Sequence, residues 1–138
     1  MTNRNNLLLI ALLVFVLGCG ETKEKVYPAE GKLLIGGAPA ANVFVLFNPV
    51  NGKQDAKRPS ATTDMEGRYQ LTTFEALDGG PVGDYTVTLL YEPVSSPLTR
   101  AKGKPPQIPA KYNKVETSPL KAKIEAKAKN EIEVFKLP

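Results

Sequence analysis

The stretch Thr62-Thr63-Asp64-Met65-Glu66-Gly67-Arg68-Tyr69-Gln70-Leu71-Thr72 decides how the rest of the chain is read. An Asp whose carboxylate accepts backbone N–H groups, followed three residues on by Gly, makes a tight turn. The turn is expected to have Asp64 bonded to the amides of Glu66 and Gly67, with Gly67 supplying backbone freedom and Tyr69 sending its ring into the core. After it, Tyr69, Leu71 and Thr73 alternate with polar neighbours, the period of a half-buried strand. The turn and strand together predict an all-β domain.

Outward from that turn the same period recurs. On the N-terminal side, Gly31, Leu33 and Ile35 share one face of a strand that ends at Gly36-Gly37, a pair suited to the positive φ of a two-residue hairpin. Val43, Val45 and Phe47 form the inward row of the next strand, which Asn48-Pro49 is expected to stop. Phe44 and Leu46 lie on its other face, where a solvated strand would carry Thr or Lys, so the chain itself or a partner should cover them. Asn51 to Ser60 has no period and reads as an exposed loop.

On the C-terminal side, Glu75 to Gly83 is rich in turn formers. The clearest strand of the chain follows, with Tyr85, Val87, Leu89 and Tyr91 inward and Thr86 and Thr88 outward. Glu92 to Pro109 holds five prolines and reads as a long crossover loop. Leu120, Ala122 and Ile124, then Ile132 and Val134, form two last inward rows. Phe135-Lys136-Leu137 is out of phase with the second, and a bulge at Val134 to Phe135 would restore it. Short strands with turns between them and no amphipathic helix describe an antiparallel β-sandwich.

Composition narrows the chemistry. The chain of 138 residues has no His or Trp, and Cys19 is its only cysteine. No imidazole acid/base pair, disulfide or Cys/His metal cage can therefore be assembled, and no thiol nucleophile lies in the folded part. The net charge of +4 is modest, and the basic residues crowd into one region.

The N-terminus gives an address. Arg4 and the free amine precede Leu7 to Leu17, an apolar run of eleven residues, which ends in Val16-Leu17-Gly18-Cys19. A run of that length is too short to span a bilayer and matches the core of a signal peptide, which would be helical. Its last four residues resemble the bacterial lipobox. By that resemblance the chain is cut between Gly18 and Cys19, and Cys19 is lipidated on sulfur and acylated on its new amine. Several acyl chains, at about 0.8 kcal/mol per buried methylene, make a stable anchor. The absence of Asp after the Cys points to the outer membrane of a two-membrane bacterium, with the protein exported and held at the cell envelope. The resulting division is a signal peptide over 1–18, a lipidated Cys and polar tether over 19–27, and a β-sandwich over 28–138. The tether would hold the domain within roughly 20 Å of the membrane.

Four stretches then converge on a family: Gly31-Lys32-Leu33, Gly37-Ala38-Pro39-Ala40-Ala41-Asn42-Val43-Phe44-Val45, Thr63-Asp64-Met65-Glu66-Gly67-Arg68-Tyr69 and Pro81-Val82-Gly83-Asp84-Tyr85-Thr86-Val87. In that order they resemble the carboxypeptidase regulatory-like, transthyretin-like domain over Ala29 to Tyr91. Asn42 departs from the usual small residue. The resemblance implies a seven-stranded prealbumin-type sandwich serving as a folding or interaction module without chemistry or cofactor. The related enzyme that hydrolyses 5-hydroxyisourate depends on His residues and a Tyr-Arg-Gly-Ser terminus. Neither is present here, since the chain ends Lys136-Leu137-Pro138.

Remaining candidates are weighed from the residues. Arg100, Lys102, Lys104 and Lys111 open a basic run that continues to Lys129. On strands such lysines solvate a face and guard an edge, and their functional version is attraction to anionic headgroups or envelope polymers. Nucleic acid is excluded for an exported protein whose lysines have no interleaved stacking aromatics. Asp64 with Glu75, Asp78 and Asp84 matches no calcium loop, so no metal is assigned. A Lys–Asn isopeptide bond would need Lys32, Asn130 and Glu30 together in the core. The functional expectation is a non-enzymatic, lipid-anchored binding or structural module with an envelope protein or glycan as partner. The alternatives are an accessory subunit of an envelope hydrolase, or a carbohydrate-binding module stacking sugars on Tyr27, Tyr91 and Tyr112.

Overall fold

The computed structural model describes residues 23–93 and 104–138. Cys19, Gly18, Arg100 and Lys102, most of the signal and tether segment, and much of the Pro-rich stretch lie outside the described residues. Within them the chain is all-β, with short strands in several sheets and one 3-10 turn at Ala110–Asn113. No helix among these residues is long and apolar enough to cross a membrane.

The strands are β1 (Val26–Tyr27), β2 (Ala29–Ile35), β3 (Ala38–Pro39), β4 (Val43–Pro49), β5 (Ser60–Thr62), β6 (Arg68–Gln70), β7 (Gly80–Pro81), β8 (Gly83–Tyr91), β9 (Lys121–Ile124), β10 (Asn130–Glu131) and β11 (Phe135–Leu137). One sheet runs β5-β4-β8-β9. A second is built around β2, flanked on one edge by β6 and then β3, and on the other by β10 and then β11, and β1 and β7 pair as a two-stranded third. The handover on the first edge falls at Leu33. Its N–H donates to the Gly67 carbonyl at 2.8 Å, while its carbonyl accepts the Ala40 N–H at 3.2 Å.

The two larger sheets face each other across one core, because the inward rows meet there. Leu33, Tyr69, Phe135 and Leu137 from the β2 sheet pack with Val43, Val45, Phe47, Tyr85, Val87, Leu89 and Ile124 from the other. The Phe47 ring sits 6.3 Å from Tyr69 and 5.6 Å from Tyr85, tilted against both, an arrangement aromatic pairs prefer. The predicted hairpin is present: Ile35 pairs with Ala38 across Gly36 and Gly37, at φ 59° and 79°. Asn42 also adopts positive φ (57°), which Asn tolerates far better than a branched residue does.

Several sequence expectations are corrected. The β4 strand does not end before Asn48-Pro49 but includes both and ends at Pro49, which lies opposite Tyr85, with Asn48 buried. Thr86 and Thr88 do not face water: both are buried, in a polar cluster around Asn48. Tyr91, at the end of its row, is only half-buried. The sheets are not wholly antiparallel, since β10 and β11 run parallel to β2. Val134 points outward rather than inward.

The C-terminal bulge is found where the phase break requires it. Asn130 and Glu131 pair with Ala29 and Glu30, whereas Phe135 pairs with Leu33. The later strand therefore spends one residue more than β2 over the same span, which turns Val134 out and returns Phe135 and Leu137 to the core. Val26 and Tyr27, at the end of the expected tether, form β1 and pair with Pro81 and Gly80.

Candidate functional site

The Asp64 turn is built as a closed hydrogen-bonded unit, with one change from expectation. The Asp64 carboxylate accepts the amides of Glu66 (2.9 Å) and Arg68 (2.8 Å), while the Gly67 amide goes to the Asp64 main-chain carbonyl at 3.0 Å. Placing Gly67 in the left-handed region (φ 72°) swings the next amide back onto the side chain. A Cβ at Gly67 would also lie 2.4 Å from the Leu33 carbonyl oxygen, so glycine is required there twice over. Partial burial pushes the Asp64 carboxyl up, but the Arg68 and Glu66 amides and the Arg68 guanidinium outweigh it and hold the group below the usual range. Thr63, which the sequence reading passed over, anchors the turn. Its buried hydroxyl accepts the Val43 amide and donates to the Ala40 carbonyl.

Tyr69 leaves this turn for the core. It stacks on Phe135 at 6.4 Å and crosses Gly31, its partner in register, where a Cβ would lie 2.3 Å from the phenol oxygen. That oxygen is buried with no hydrogen-bond partner, and desolvation pushes its pKa well up.

Outside the turn lies a groove of about 890 Å³. It crosses the outer surface of β6, β2 and β10 and reaches the hairpin between β5 and β6. That hairpin is held at both ends, by Ser60 and Thr72 exchanging bonds of 3.0 and 2.9 Å and by Asp64 and Arg68, while β5 and β6 belong to different sheets. The acids and Arg68 on the groove wall are already paired, whereas Lys32 makes no ion pair among the described residues. Arg68 bridges Asp64 and Glu66, and Lys129 lies 2.7 Å from Glu30. Leu77, an exposed residue at positive φ (59°), rims it. Its loop is fixed by Asp78, whose carboxylate accepts the amides of Thr73, Phe74 and Glu75. Chemically the groove offers paired ions, amides and a few apolar side chains, which suits recognition of a surface or extended ligand.

Other predicted positions are scattered. Lys104 and Lys111 are exposed, and Lys111 lies 5.0 Å over the Tyr112 ring. Tyr112 itself is buried against the core, so it cannot stack on a sugar. Lys127 and Lys129 are paired with acids, and Lys121 donates to the Thr86 hydroxyl at 2.7 Å. The isopeptide constellation is not assembled: Asn130 is buried but its amide donates to the Pro28 and Glu125 carbonyls, and Glu30 is engaged by Lys129. Asp64, Glu75, Asp78 and Asp84 do not converge, and no group of three or more His, Cys, Asp or Glu capable of holding a metal occurs among the described residues.

A third cluster was invisible in the pattern of alternation. Asn48 donates through Nδ2 to the Thr86 carbonyl (3.1 Å) and the Thr88 hydroxyl (3.1 Å), and Arg58 approaches its Oδ1 at 3.4 Å. These bonds, with the one from Lys121 to the Thr86 hydroxyl, satisfy polar groups on the outer face of the four-stranded sheet and explain why its threonines can be buried. Compared with known protein families, characterised proteins and solved structures, the chain has no match.

Proposed function

We propose that the protein is a lipid-anchored component of a bacterial cell envelope, in which a non-catalytic, carboxypeptidase regulatory-like sandwich of seven main strands serves as a binding or structural module. The observation that carries this reading is the apolar run Leu7 to Leu17 ending in Gly18-Cys19, with no other cysteine in the chain. A lone thiol placed directly after a signal-length apolar core serves lipid attachment well and serves redox or metal chemistry poorly. The absence of His from the sequence, with paired ions on the groove wall, supports a role in binding rather than turnover. The four motif stretches and two sheets closing on one core support the family reading. The groove over β6 and β2 is the surface best suited to engage an envelope protein or glycan.

The test is metabolic labelling with a fatty-acid analogue, comparing the parent with Cys19→Ser. Label and membrane retention confined to the parent support the anchor, and equal behaviour of both refutes it. Affinity capture from solubilised envelope addresses the accessory-subunit reading, which requires a stoichiometric hydrolase in the eluate.

A further inference from the structure

The strand pairing fixes which end of the domain an anchored N-terminus meets. The described chain enters through β1, where Val26 lies opposite Pro81 and Tyr27 opposite Gly80. At that same end β4 exits through Pro49 into Val50, and β8 begins just after Val82. The Val50 amide donates to the Asp84 carbonyl at 2.9 Å, tying the two exits together. Val50 and Val82 are both large, apolar and more than half exposed, at 56% and 53%. Beside Val82, Glu24, residues of the 51–57 loop and Asp84 border a hollow of about 610 Å³. In the loop that follows Val50, Lys53, Lys57 and Arg58 outnumber Asp55. The opposite end is different in charge: its turn holds Asp64 and Glu66 against Arg68, with Glu92 nearby and Met65 exposed at the tip.

We infer that the end carrying Val50, Val82 and the Lys53–Arg58 loop is a membrane-contact surface that rests on the lipid headgroups, with the Asp64–Gly67 turn pointing away. The inference builds on the proposed lipidation of Cys19. The six residues from Gly20 to Lys25, between Cys19 and β1, reach at most roughly 20 Å, less than the ~30 Å length of a nine-residue strand such as β8. The near end is thus the one held at the surface. Exposed valines beside the Lys53, Lys57 and Arg58 side chains match the boundary between acyl chains and anionic headgroups, although Glu24, Asp55 and Asp84 balance those cations in number. The groove over β6 and β2 is then left open toward partners.

The experiment uses the full lipoprotein, purified with its native lipid and reconstituted into vesicles of phosphatidylethanolamine and phosphatidylglycerol. Val50→Cys, Val82→Cys and Met65→Cys are each labelled with an environment-sensitive fluorophore. All three positions are exposed, and circular dichroism checks that each variant keeps its strands. Labels at 50 and 82 should shift to the blue and be shielded from aqueous iodide, while the label at 65 stays accessible. Replacing Lys53, Lys57 and Arg58 together with Gln should reduce the shielding. Vesicle-bound protein whose labels at 50 and 82 are as accessible as that at 65, or in which only 65 is shielded, overturns the orientation and leaves the anchor standing. A parent chain in which Cys19 itself takes the label and the protein stays in the supernatant overturns the anchor, and the contact surface with it.

Discussion

Two tyrosines in one core should respond in opposite directions to loss of a hydroxyl. The Tyr69 oxygen is buried without a partner, so the folded state carries its desolvation cost, about 1–3 kcal/mol for a neutral polar group. Tyr69→Phe removes that oxygen and keeps the ring between Phe47 and Phe135. It should therefore leave the domain unchanged or raise its stability by about 1 kcal/mol, roughly 4 °C in Tm for a domain of this size. Tyr85 donates to the Pro81 carbonyl at 2.6 Å, and Tyr85→Phe should cost about 0.5–1.5 kcal/mol. Urea unfolding of both variants, with the slope m unchanged, reads the difference.

Alkaline titration gives an independent arm. Burial pushes the Tyr85 phenol up to about 12, with the Glu24 charge adding to it, and burial alone pushes Tyr69 further in the same direction. Above the unfolded value near 10, the unfolded chain releases these protons and the folded chain keeps them. The stabilisation is complete below about pH 10 and falls as pH rises toward the folded values. Each phenol contributes about 1.4 kcal/mol per pH unit to that fall, so the Phe variants should lose stability less steeply than the parent. A Tyr69→Phe protein that is less stable by 1 kcal/mol or more, with an alkaline slope like the parent's, would refute the claim that its hydroxyl is orphaned.

Other perturbations follow from the same geometry. Gly31→Ala should cost about 1–3 kcal/mol by overpacking, because the new methyl meets the Tyr69 ring, and thermal melts should show it. Deleting Val134 removes the bulge and restores continuous pairing with Phe135 still opposite Leu33, so the shortened chain should fold with near-parental stability; deleting Lys136 should instead displace Leu137 from the core and lower Tm clearly. Asp78→Ala strands three amides and should cost about 1–3 kcal/mol. The parent should also weaken in acid. Desolvation pushes the Asp78 carboxyl up but its amide bonds hold it lower still, and Asp64 is likewise lowered on balance, so their stabilisation is present above the usual carboxylate range and lost as pH falls through the lowered values. Guanidinium midpoints from pH 7 down to 3 in parent and Asp78→Ala should converge.

Alternation alone placed Val43, Val45, Phe47, Tyr85, Val87 and Leu89 in the core, because a strand's side chains change face every residue wherever the strand sits. Gly36-Gly37 and Gly67 were legible for a similar reason: the conformations they adopt exclude most other residues. The groove was not legible. Its wall combines β2, β6 and β10, which are brought together by pairing between positions far apart in sequence. Thr86 and Thr88 illustrate the limit, since two hydroxyls on the outward row look solvated until neighbouring strands bring Asn48 to the Thr88 hydroxyl and Lys121 to that of Thr86.

The sequence by itself determined the period of the main strands, the glycine turns, the single thiol at the end of an apolar run and the lack of imidazole. Only the tertiary structure decided that β10 and β11 run parallel to β2, that Val134 is turned out by one extra residue, and that Val26 and Tyr27 of β1 pair beside the Val82 end. Local sterics are encoded residue by residue, whereas the choice of partner strand is made by the whole core when its apolar rows close on one another.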